Sequence, residues 1–215
     1  MSQRWLVGCV LVLGGLAVAI AGCWNRGPTR VLPPSIDAVA AGEEAIKMYD
    51  TNHDGKISGA ELDKCPAIKA AIAQIDPSGK GEVTAEMITA RVRKWQDSRL
   101  GKMSLGCRIT RNGSPLPGAT VTFVPEKFLG PNVKPATGKT DANGMAMLSV
   151  ALTSTVPGAP REPPGVAPGL YRIVVTAPGG NIPAKYSTEE GSVLGQEVAM
   201  DAKGIQEGLK FDLKF

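Results

Sequence analysis

Three hydrophobic patterns follow one another along the chain. Residues 6–21 form an unbroken run of 16 apolar or glycine residues. Between 37 and 97 the apolar positions recur at helical spacing: Ile46 and Tyr49, then Ile68, Ala71, Ile72 and Ile75, then Met87, Ile88, Val92 and Trp95. That spacing puts each set on one face of an amphipathic helix. The first helix is expected over 42–49, with Glu43 and Glu44 in its first turn, where the helix dipole favours anions. Pro66 either stops one helix or opens the next. From about 103 the period drops to two. Leu105, Cys107 and Ile109 alternate with Gly106, Arg108 and Thr110, and Val121 and Phe123 alternate with Thr120, Thr122 and Val124. The same alternation places Tyr171, Ile173 and Val175 against Arg172, Val174 and Thr176, and Leu209, Phe211, Leu213 and Phe215 against Lys210, Asp212 and Lys214. Asn112-Gly113 and Asn143-Gly144 are hairpin-type corners, the second leading into Met145, Met147, Ser149 and Val150. The expectation is an α + β multidomain chain: a helical module at 37–97, a linker at 98–102, and an antiparallel β-sandwich of about seven strands at 103–215.

Composition agrees with many corners and few aromatic anchors: 26 Gly, 17 Pro and 5% aromatic residues in 215. No Gly-X-Y period is present, which removes a collagen-like chain. The net charge of +4 is too small to imply a nucleic-acid partner. It divides unevenly, as −3 over 37–97 and +4 from 98 onward. A single histidine, His53, excludes His-rich zinc sites.

The apolar run at 6–21 is short for a membrane span, which needs about 20 residues. Arg4 before it and small residues after it have the form of a secretory signal. Ile20-Ala21-Gly22-Cys23 resembles the bacterial lipobox. The resemblance implies a signal peptide at 1–22, cleavage before Cys23, and lipidation of that cysteine. The alternative is an uncleaved membrane anchor. Residues 23–36, with three prolines and no apolar periodicity, are expected to be the lipidated cysteine and a tether. The chain is then an exported lipoprotein held at a membrane, periplasmic or on the cell surface. Acyl chains on Cys23 would contribute about 0.8 kcal/mol per buried methylene to anchoring.

The segment Asp50-Thr51-Asn52-His53-Asp54-Gly55-Lys56-Ile57-Ser58-Gly59-Ala60-Glu61 supplies oxygen ligands at alternating positions. Ca²⁺ is a hard cation that takes six to eight oxygens at about 2.3–2.6 Å. Asp50, Asn52 and Asp54 can turn inward on a curling backbone, Gly55 permits a sharp bend, Lys56 offers its carbonyl, Ser58 ligates directly or through water, and Glu61 closes the site. The segment resembles the twelve-residue EF-hand loop, with Ile57 as the residue that pairs with a partner loop. His53 is expected to point outward. A second loop starts 26 residues later at Asp76, and its Gly81 and Val83 repeat the places of Gly55 and Ile57. Lys80 and Met87 occupy two of its ligand places. It is therefore either a pairing partner without an ion or a weaker site built from Asp76, Ser78, Glu82, Thr84 and Glu86. The whole of 37–97 resembles a compact EF-hand pair.

RNGSPLPGATVTFVP (111–125), TGKTDANGMAML (137–148) and APGLYRIVV (167–175) resemble the carboxypeptidase-regulatory-like, transthyretin-like sandwich of bacterial surface proteins. The resemblance implies an Ig-like β-sandwich without catalysis, and one departure from it is a loop at 153–169 carrying five prolines. Export permits a disulfide between Cys65 and Cys107, although Cys107 can equally be a core thiol. No Gly-X-Ser-X-Gly, no His-Glu-X-X-His and no complete phosphate-binding Gly-X-X-X-X-Gly-Lys-Ser/Thr loop is present, so no enzyme is expected. The sequence therefore suggests a calcium-binding lipoprotein whose sandwich meets an envelope protein or polysaccharide. The alternatives are a passive structural lipoprotein and a protein-docking module.

Overall fold

The computed structural model describes residues 31–151 and 164–215. The expected signal peptide, the lipidation site Cys23 and most of the proline-rich loop lie outside the described residues.

Helix α1 spans Ala38–Tyr49 and starts four residues earlier than its apolar spacing suggests. Asp37 is the reason: its carboxylate accepts hydrogen bonds from the amides of Val39 and Ala40, both at 3.1 Å. Such a cap is worth about 1 kcal/mol. Glu43 and Glu44 therefore sit in mid-helix, not in the first turn. Strand β1 (Ile57–Ser58) follows, then α2 (Ala60–Lys64), α3 (Pro66–Ala70) and α4 (Ile72–Ile75). Pro66 opens α3, where its missing N–H costs nothing. Strand β2 (Glu82–Val83) and helix α5 (Ala85–Asp97) complete the helical part. Helices α1 and α5 approach closely at Gly42, where a Cβ would lie 2.3 Å from the carbonyl oxygen of Ala85.

The remaining strands are β3 (Leu105–Arg111), β4 (Ser114–Pro115), β5 (Thr120–Pro125), β6 (Ala136–Lys139), β7 (Met145–Val150), β8 (Gly169–Thr176), β9 (Gly195–Val198) and β10 (Leu209–Leu213). They form one sheet in the order β10-β3-β7-β6-β5-β8-β9, with β4 beside β3. Helix α6 (Ala184–Ser187) lies between β8 and β9 in the chain. All pairings are antiparallel except one: β10 runs parallel to β3, with Leu209 opposite Cys107 and Leu213 opposite Arg111. Parallel neighbours need a long crossover, and nearly the whole sheet intervenes between these two strands. The sheet curls on itself. Phe123 on β5 and Phe211 on β10 are four places apart in strand order, which would separate them by about 19 Å in a flat sheet. Their ring centroids are 6.3 Å apart.

The helical part and the sheet share one continuous apolar core. At their junction α3 presses on β9: a Cβ on Gly195 would lie 2.1 Å from the carbonyl group of Pro66. Tyr49 at the end of α1 meets Phe128, in a 3₁₀ turn at Lys127–Leu129, edge to face at 6.4 Å. The junction also holds buried charge. The Arg91 Nε donates to Glu197 at 2.5 Å, the Trp95 indole N–H donates to the same oxygen at 2.8 Å, and the other two Arg91 nitrogens reach Asp201 at 2.9 and 2.8 Å.

Two expected connectors are built into this body. Ile36 is buried, its carbonyl accepts from Gln96, and the carbonyl of Ser35 accepts from Asn132. The end of the expected tether, at Ser35 and Ile36, is thus bonded to the body. In the expected linker, Gly101 is buried so closely that a Cβ would sit 2.0 Å from the carbonyl oxygen of Val31. Met103 exchanges backbone hydrogen bonds with Val166, which belongs to the expected proline-rich loop.

Candidate functional site

The two acidic loops lie side by side. Strands β1 and β2 pair antiparallel, with Ile57 opposite Val83 and Ser58 opposite Glu82. Both apolar residues are fully buried. The loops also share a backbone path. The fourth and sixth positions are left-handed in each, at His53 and Gly55 in the first and at Gly79 and Gly81 in the second. In each, the amide of the sixth residue donates to the opening aspartate at 2.8 Å, Gly55 to Asp50 and Gly81 to Asp76.

In the first loop the carboxylates fold onto backbone amides. Asp50 accepts from His53 and Asp54 as well as Gly55. Glu61 Oε1 accepts from the amides of Thr51 at 2.7 Å and Asn52 at 3.2 Å and from the Thr51 hydroxyl, while Oε2 accepts from the Ser58 amide at 3.1 Å. Opening and closing carboxylates are thus drawn together across the loop, and both are buried. Hydrogen bonds from the Ser58 and Thr51 amides pull the Glu61 carboxyl down to about 2. Asn52 and Asp54 are exposed and bonded to each other, and Ser58 is half-buried. The Lys56 ammonium is ion-paired with Glu82 of the second loop at 2.7 Å and also feels the charge of Asp54.

Asp50, Asp54 and Glu61 have no salt-bridge partner among the described residues. In this closed arrangement no group of three or more His, Cys, Asp or Glu side chains among the described residues is gathered as a metal cage. The donor set nevertheless suits a hard cation. It offers carboxylate, carboxamide, hydroxyl and carbonyl oxygens, and two of its carboxylates are buried with only backbone amides and the Thr51 hydroxyl to compensate them.

The second loop lacks this set. Asp76 is buried, but it accepts from Ser78 and Gly81, and the Ser78 hydroxyl is spent on it. Glu82 faces Lys56, Thr84 caps α5 through the Met87 amide at 3.5 Å, and Glu86 is exposed with its carboxylate on Thr84. All five candidate ligands of the weaker site are thus engaged by protein partners, Ser78 with Asp76 and Glu86 with Thr84 among them. Met87, where a closing carboxylate would stand, is half-buried against the core.

Cys65 and Cys107 are free and buried, which corrects the disulfide expectation. Cys65 lies where α2 meets α3, near Tyr49 and Glu126, and Cys107 points into the sheet interior from β3. Burial pushes both thiols up, that of Cys107 to about 12. Period-two reading anticipated the core-thiol alternative for Cys107.

Sequence reasoning missed the buried polar groups at the junction. Tyr49 donates to Glu126 at 2.7 Å across 77 residues of chain, and Arg91 meets Glu197 across 106. No local pattern signals partners so far apart. The one available hint was an arginine on the apolar stripe of α5.

No protein-family model, curated protein or solved structure matches this chain. No helix among the described residues is long and apolar enough to cross a membrane.

Proposed function

We propose that this protein is a calcium-binding lipoprotein of the cell envelope, anchored through Cys23, with an EF-hand-like loop pair packed on a non-catalytic β module. One observation carries the ion assignment: the first loop buries both its opening and its closing carboxylate, Asp50 and Glu61, without a salt-bridge partner among the described residues. Asp50, Asn52, Asp54, Ser58, Glu61 and the Lys56 carbonyl would hold the ion. The ion would supply the missing positive charge, and the second loop would act as the β-paired support. The lipid anchor rests on Ile20-Ala21-Gly22-Cys23.

Calorimetric titration of calcium into the full chain tests the ion site. Heat is expected for the wild type and for Asp76→Asn, and none for Glu61→Gln. Equal heats for wild type and Glu61→Gln would overturn the assignment. An ion bound only to the folded state, at 100 times its Kd, adds about 2.7 kcal/mol of stability, so chelator should lower the melting temperature of the wild type and of Asp76→Asn but not of Glu61→Gln. Intact mass tests the anchor: an unmodified Met1 or a free Cys23 thiol would exclude it.

A second reading has its own support. The helical part is already joined to the sheet by a shared core and by Arg91–Glu197, so calcium would staple a structural protein and present no ligand. Retrieval of one envelope component in calcium and not in chelator would favour a binding module, and retrieval of nothing would favour the staple.

A further inference from the structure

A cavity of about 220 Å³ opens between the helical part and the sheet, lined on its floor by Tyr49, Glu126 and Arg172. Glu126 is only 4% exposed. Its Oε2 accepts from the Tyr49 hydroxyl at 2.7 Å, while Oε1 makes no hydrogen bond. The nearest cation is Arg172, whose Nε stands 3.5 Å from Oε1 without bonding to it. The remaining Arg172 nitrogens are committed elsewhere, to the carbonyls of Glu189 at 3.2 Å and Lys64 at 2.7 Å. The Cys65 thiol lies near Glu126 and offers a weak donor. A buried carboxylate oxygen held only by an ion pair at 3.5 Å and a weak thiol donor is under-satisfied, a cost that a ligand N–H can recover.

The rest of the lining carries both signs: Lys64 and Lys127, and the carboxylates of Glu189 and Glu190. Lys64 is exposed and has no ion pair among the described residues, and Lys127 is 73% exposed with only a 3.5 Å contact to Glu189. A lining of mixed charge suits a ligand that itself carries both charges, its carboxylate toward the two lysines. The volume is below the roughly 300–1,000 Å³ of drug-sized sites, so the occupant is small. We propose that this cavity binds a small zwitterion of the amino-acid class, its ammonium donating to Glu126 Oε1 and its carboxylate facing Lys64 and Lys127. The proposal does not depend on the ion loop.

The test is calorimetric titration of the full chain, in chelator, with glycine, alanine and glutamate, and with methylammonium and acetate as half-ligands. At least one amino acid is expected to bind with a Kd of about 1 mM or tighter, and both half-ligands at least tenfold more weakly. Glu126→Gln should weaken binding at least tenfold, with its melting curve as the check on folding. Lys64→Glu, at an exposed position that folding does not need, should weaken binding several-fold. Absence of heat from every amino acid would overturn the proposal. So would wild-type affinity in both variants, methylammonium binding as tightly as the amino acids, or a crystal structure with only an ordered water on Glu126.

Discussion

Glu197 is held at 2% exposure with one oxygen shared by Arg91 and Trp95, and the other without a hydrogen bond. Burial pushes its carboxyl up against the pull of Arg91. For Arg91, burial works against the charge, but the hydrogen bonds it donates to Asp201 and Glu197 outweigh it and keep the guanidinium protonated. Removing one partner of such a pair usually costs about 3–5 kcal/mol. Asp201 stays beside Arg91, so Glu197→Ala is expected at the lower end, about 3 kcal/mol, measured by urea unfolding. A loss below about 0.5 kcal/mol would mean the pair is not buried in solution. The two cysteines make a separate prediction. An ordinary thiol is half-ionised near pH 8.5, whereas burial keeps Cys65 and Cys107 protonated there. Iodoacetamide at that pH should leave both unmodified in the native protein and modify both in urea without reductant. A urea-resistant failure to react would indicate a disulfide.

Among the elements, α1 shows how close approach decides a residue. Replacing a helical glycine by alanine normally gains about 1 kcal/mol in helix propensity. At Gly42 the new methyl would meet a backbone carbonyl at 2.3 Å, which no side-chain rotation relieves, and overpacking costs about 1–3 kcal/mol. Gly42→Ala should therefore lower stability, by about 1 kcal/mol net, in a denaturation curve; a rise would show that α1 can shift away from α5. The acidic loops were the most legible elements, because their bends at Gly55 and Gly81 and the pairing of Ile57 with Val83 depend on residues within a few positions of each loop. Strand positions were legible through period two, down to the buried set Leu105, Cys107 and Ile109. Edges were less so: Phe211 is half-buried and Phe215 exposed, since β10 ends the sheet and its last residues outrun their neighbours. The start of α1 was misjudged because Asp37, a capping residue, precedes a stretch of small residues with little periodicity.

At the scale of the molecule, one core joins parts that differ in period and in charge. Unfolding should therefore be a single transition: helical and tertiary signals are expected to coincide in urea, as they do for a two-state domain. Two separated transitions would show that the helical part and the sheet fold independently. The sequence by itself determined the order of parts, the bends of the acidic loops, the turn positions and the alternating faces of the strands, because each of these follows from contacts between near neighbours. Only the tertiary structure decided that residues 35–36 and 98–102 are packed and not free, that β10 lies parallel to β3, that Cys65 and Cys107 stay apart, and that Glu126 and Glu197 are buried at the junction. Those outcomes depend on which surfaces meet across roughly a hundred residues of chain, and no local pattern of polar and apolar positions encodes that meeting.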